Sequence, residues 1–149
     1  MNYRLAILLL SVLVILAACG RNAEPGIHGV ITDGEAGKPL AGASVELLGC
    51  TGSDCKEKVA SQTTASDGRY DIPPVRSGRY LLSISWMNPP ACPNIRDYDT
   101  MGKIGDFTVA YMGYGGIGGI GNKRIVAIKE LEVNEGAGFN LDLKLACPK

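Results

Sequence analysis

His28 is the single histidine in a chain of 149 residues, and a lone imidazole works as a general base or metal ligand only when a carboxylate or a second ligand meets it. Its own extended segment offers no carboxylate at alternate positions. The sequence therefore places His28 on a surface or edge strand. Asp97 and Asp99, either side of Tyr98, would point the same way from an extended chain and could share a cation such as calcium, but two carboxylates are too few for a built site. Residues 113–121 hold six glycines and match Gly-x-Gly-x-x-Gly twice. A dinucleotide loop of that form needs a strand before it, a helix N-terminus after it and a carboxylate about twenty residues on. Here residues 123–129 read as a strand. The glycine-rich stretch reads instead as a pliant loop in which Tyr111, Met112, Tyr114, Ile117 and Ile120 offer apolar contacts to a partner or a lipid. No Gly-x-Ser-x-Gly elbow is present. No metal site, no cofactor and no enzymatic activity are expected.

Charge excludes another class of function. Fifteen Lys and Arg balance fifteen Asp and Glu, and with no basic run there is no electrostatic footprint for nucleic acid. The apolar residues are unevenly spread: fifteen of the first eighteen are apolar. Residues 1–4 carry a positive charge at Arg4, and residues 5–18 form an apolar run that ends in small residues. That is the pattern of a secretory signal, and the run is shorter than the roughly twenty residues a spanning helix needs.

Leu16-Ala17-Ala18-Cys19 resembles the lipobox of bacterial lipoproteins. The resemblance implies that residues 1–18 are removed and that Cys19 becomes a diacylglycerated first residue, usually N-acylated (palmitate) as well. Gly20 stands where an aspartate would favour retention in the inner membrane, so the expected location is the cell envelope, at the outer membrane of a Gram-negative bacterium. Two or three acyl chains anchor stably where one holds marginally. The membrane lipid is thus a partner through Cys19, and residues 19–25 form a short tether.

Four further cysteines remain: Cys50, Cys55, Cys92 and Cys147. An even number in an exported chain favours two disulfides, with three connectivities open. The favoured one pairs Cys50 with Cys55 and Cys92 with Cys147. No Cys-x-x-Cys supports a structural zinc site instead.

Period-two alternation recurs along residues 26–149, separated by Gly, Pro, Asn and Asp. Phe139, Leu141, Leu143 and Leu145 alternate with Asn140, Asp142 and Lys144. Tyr80, Leu82, Ile84 and Trp86 form another stripe, and Ala43, Val45 and Leu47 a third. Residues 27–32, 59–64, 104–112 and 124–133 are further strand candidates. In the last, Val126 and Ile128 are followed by Leu131 and Val133, which predicts a slip of parity, a bulge or turn, near Lys129-Glu130. Asp67-Gly68 predicts a hairpin turn. No helical stripe with caps follows Cys19, so the expected fold is all-β.

Gly29-Val30-Ile31-Thr32-Asp33, residues 37–47, Thr63 to Pro73 and Ser77 to Leu82 together resemble the carboxypeptidase regulatory-like domain. The resemblance covers about 26–86 and resumes weakly at 125–145. It implies a prealbumin-like (transthyretin-like) Greek-key β-sandwich of seven to eight strands with residues 88–122 as a long loop insertion, and a fold that often serves as an accessory or adhesive module. The transthyretin-like 5-hydroxyisourate hydrolase is excluded, because this chain has neither a second His nor the Tyr-Arg-Gly-Ser terminus. The expected function is a lipid-anchored, non-enzymatic binding or structural module for envelope protein, contacting its partner through the insertion. The alternative is a carbohydrate-binding accessory, with Trp86, Tyr98, Tyr111 and Tyr114 as stacking candidates.

Overall fold

The computed structural model describes residues 25–34, 36–87, 100–114 and 122–145, with side chains at all of these except 100, 101, 112–114, 122 and 123. Alternating sequence becomes strand throughout: β1 (Gly26–Asp33), β2 (Ser44–Thr51), β3 (Asp54–Thr63), β4 (Arg69–Ile72), β5 (Gly78–Met87), β6 (Thr100–Ile104), β7 (Phe107–Tyr114), β8 (Asn122–Val133), β9 (Gly138–Asn140) and β10 (Leu143–Leu145). No helix occurs among the described residues. The larger sheet has the order β3-β2-β5-β8-β7-β6, and the smaller runs β10-β1-β4 with β9 also on β1. The chain crosses between sheets after β1, β3, β4 and β8, which makes a two-layer sandwich.

The core is where the inward phases of the two sheets meet. Val45 and Leu47 of β2 lie opposite Ile84 and Leu82 of β5, and Ala127 of β8 lies opposite Ile84. All five are at most 1% exposed. Ile27, Ile31, Ile72 and Leu143 close over them from the smaller sheet. Each such Ile, Leu or Val contributes on the order of 1.5–3 kcal/mol on burial. Tyr70 and Tyr80 also lie between the sheets, as their positions in the alternation imply.

The structure departs from the sequence reading in three places. β8 has no bulge, and its ladders with β5 and β7 run unbroken. The inward phase is Ile125, Ala127, Lys129, Leu131 and Val133, so a lysine occupies a core-facing position while Val126 and Ile128 face outward. Lys129 fits because its stem lies along apolar surface, with its ammonium 2.8 Å from Asp106 and 5.7 Å from the Phe107 ring centroid. The Asp67-Gly68 turn exists, with Gly68 at φ +74°, but the strands it joins do not pair with each other. It passes the chain from β3 in one sheet to β4 in the other. Finally, the 88–122 insertion is not all loop: β6 and β7 form a hairpin that extends the larger sheet, because Thr108 to Tyr111 alternate well enough to pair with β8. Without that hairpin, and with β9 and β10 counted as one interrupted strand, seven strands remain.

That interruption shapes one face of the molecule. β9 and β10 both run parallel to β1 in a single register, Ile27 opposite Phe139 and Ile31 opposite Leu143. Between them the Leu141 N–H donates to the His28 carbonyl at 2.8 Å. The Val30 N–H donates not to a backbone carbonyl but to the Asp142 carboxylate, also at 2.8 Å. The Leu141 carbonyl accepts from the Tyr70 hydroxyl at 2.7 Å. Tyr70 reaches it across Gly29, where any Cβ would run into the Leu141 carbonyl and the Tyr70 ring. Glycine is therefore required at 29 by close approach rather than by φ.

Candidate functional site

The open face of the smaller sheet gathers the polar chemistry of the described residues. β1 sits between β4 and β9, so register sets two rows across it. Asp71, His28 and Asn140 form the first. Arg69 lies opposite Val30 in the second, and Asp142 joins it through its bond to the Val30 N–H. Together these groups line a depression of about 420 Å³. Every side chain in it is carried by a strand or by a backbone held to one, so the constellation is rigid.

The His28 Nδ1 lies 2.9 Å from the Asp71 carboxylate, with the His side chain 27% and the Asp 70% exposed. This pair fixes the imidazole's orientation. Asp71 is held in turn, since its N–H donates to the Gln62 Oε1 at 2.6 Å. The Arg69 Nε is 3.3 Å from Asp67, which steadies the guanidinium beside the depression. Tyr70 lines the bottom, but its phenol already donates to Leu141. Burial, with a smaller contribution from the Asp142 charge, raises its pKa above the ordinary phenol range. It stays protonated and unreactive at neutral pH. The lining contains no Ser, Thr, Cys or Lys that the imidazole could activate. The arrangement presents imidazole, carboxylate, guanidinium and primary amide around one depression, which suits hydrogen bonding to a polar ligand.

Of the residues singled out from sequence, His28 lies on this face. Cys50 and Cys55 form a disulfide across the end of the β2–β3 hairpin. Cys19, Cys92, Cys147, Asp97, Tyr98, Asp99, Ile117 and Ile120 lie outside the described residues. Tyr111, expected as a partner contact, faces the core and is only 7% exposed. It occupies the inward phase of β7 opposite Ile125. Met112 and Tyr114 belong to β7, with side chains not described. Trp86 is half-buried against the core. Among the described residues no group of three His, Cys, Asp or Glu could hold a metal ion.

The His28 pairing was missed because its carboxylate comes from a different strand. Asp71 is forty-three positions along the chain, and Asn140 and Asp142 are more than a hundred. The outward alternation of Arg69 and Asp71 after Asp67-Gly68 marked a polar strand face, and nothing local joined that strand to β1.

Residues 26–87, which hold β1 to β5, match the carboxypeptidase regulatory-like domain family, a family of prealbumin-like β-sandwiches. The match spans the segment in which the sequence motifs were found. No curated protein matches the chain. Among solved structures, the chain is similar to a proposed carbohydrate-binding protein of Pseudomonas aeruginosa, with 15% identity, TM-score 0.41 and coverage of 87% of this chain and 94% of the other. It is also similar to part of a 9R-lipoxygenase from Cyanothece, with 9% identity and TM-score 0.39, covering 88% of this chain and 17% of that one. At these TM-scores neither carries an argument.

Proposed function

We propose that the protein is a lipid-anchored, non-enzymatic binding module of the cell envelope, and that it recognises a glycan on the open face of its smaller sheet. The observation that carries this reading is the 420 Å³ depression lined by His28, Arg69, Asp71, Asn140 and Asp142, with no Ser, Thr, Cys or Lys among its lining residues. Those groups match the paired hydroxyls of a sugar. A stable protein partner would call for an apolar centre, and Val30 is the sole aliphatic side chain in the depression. Among the described residues no exposed aromatic ring stands on this face, so hydrogen bonds carry the recognition. A few of them at about 0.5–1.5 kcal/mol each, set against the cost of association, give an affinity on the order of millimolar per site.

A glycan array followed by calorimetric titration of the full-length protein tests the reading. Binding should fall about tenfold or more in Asp71→Asn and in Arg69→Ala, with circular dichroism unchanged. Equal binding by both variants, or no glycan bound at millimolar concentration, contradicts it.

The anchor rests on Leu16-Ala17-Ala18-Cys19. Cys19→Ala should leave membranes and lose its acyl mass, and a variant that still fractionates with the outer membrane refutes the anchor.

A further inference from the structure

A second and larger cleft opens at the end of the sandwich where the chain enters β1. It has a volume of about 610 Å³ and lies between the β2–β3 hairpin and the link from β4 to β5. Ligand pockets commonly have this size and an apolar floor with a few placed polar groups. The floor here is Gly49, Val59, Ala60 and Tyr80. Val59 is 43% exposed, one of two large apolar side chains left open among the described residues.

The wall is held in shape. Pro73 and Pro74 fix their own φ angles, Val75 packs against the core, and the Tyr80 hydroxyl donates to the Arg76 carbonyl at 2.7 Å. Two guanidinium groups stand at the rim. Arg79 donates to the Gly52 carbonyl at 3.1 Å and lies 4.0 Å from Glu130, which ties the wall to the hairpin tip. Arg76 is exposed and makes no side-chain hydrogen bond or ion pair with any described residue.

We infer that this cleft binds an acidic peptide in extended form. An apolar side chain would rest on Val59 and Tyr80, and a carboxylate would take the fork of Arg76, which no described residue occupies. β3 is the outermost strand of its sheet, so it offers a bound peptide a backbone edge.

Fluorescence anisotropy of the full-length protein in neutral detergent, with a labelled hexapeptide of alternating Leu and Asp, tests the inference. A Leu/Lys hexapeptide and anionic-lipid micelles serve as the other arms. The acidic peptide should bind and the basic one should not. Arg76→Gln should weaken binding about tenfold, Arg76→Lys should restore part of it, and Val59→Glu should weaken it independently. Both positions are exposed, so these variants keep the fold. No binding of the acidic peptide, equal binding to Arg76→Gln, or a preference for the basic peptide or the micelles overturns the inference.

Discussion

Thr64 is 4% exposed, a buried polar side chain in the apolar interior. Its hydroxyl donates to the Leu40 carbonyl at 2.7 Å and accepts from the Ala43 N–H at 2.9 Å. One oxygen thus pins the bend that carries the chain into β2. Thr64→Val keeps the shape and strands both partners, so urea unfolding should report a loss of about 2–4 kcal/mol. Tyr70 makes a different prediction. Its pKa is raised in the folded state relative to an ordinary phenol at 10.0, so folding favours the protonated form. The stability it contributes is whole below pH 10 and falls as the pH rises beyond it. Tyr70→Phe should be less stable than wild type at pH 7, by about 1 kcal/mol for the lost bond to Leu141. Above pH 10 the gap should narrow, and an alkaline unfolding series of the two proteins measures this.

At the scale of elements, β8 and β9–β10 mark what the residue pattern could and could not reveal. The stripes Tyr80-Leu82-Ile84 and Val45-Leu47 are legible because each lies in one strand with both neighbours in the same sheet. β8 misled because Lys129 breaks an apolar phase that Ile125 and Ala127 had begun, and a long side chain can hide its stem while its charge escapes. The polar face of the smaller sheet was illegible for another reason: it is assembled from pairings of β1 with strands remote in sequence, and alternation carries no record of which strands will be neighbours. Lys129 also makes a prediction at this scale. Its hydrogen bond and charge lower the pKa of Asp106, a carboxylate on the β6–β7 turn. A depressed carboxylate stabilises the fold above its unfolded pKa of 3.8 and loses that contribution as the pH falls through the folded value. The melting temperature of Asp106→Asn should lie slightly below wild type at pH 7, and the two should converge below pH 3.8. A constant difference down to pH 2 would show that the ion pair is not its source.

For the molecule as a whole, the sandwich separates two poles. β1 starts beside Ile72 and Gly138, and the Gly26 N–H donates to the Ala137 carbonyl, so β1 begins at the end of the sandwich where β8 ends and β5 begins. Tyr114 and Asn122 pair at the far end of β8. A twelve-residue strand spans about 40 Å, so Tyr114 and Asn122 lie at the pole remote from the start of β1. An anchor at Cys19 would hold the Arg76 cleft near the membrane, with the polar face along the flank. The most direct test of the account is amide chemical-shift mapping during titration with a glycan selected by array. The account predicts shifts concentrated at His28, Val30, Arg69, Asp71, Asn140 and Asp142, and quiet amides on β2, β5 and β8. Shifts confined to the larger sheet, or spread evenly over the surface, would contradict it.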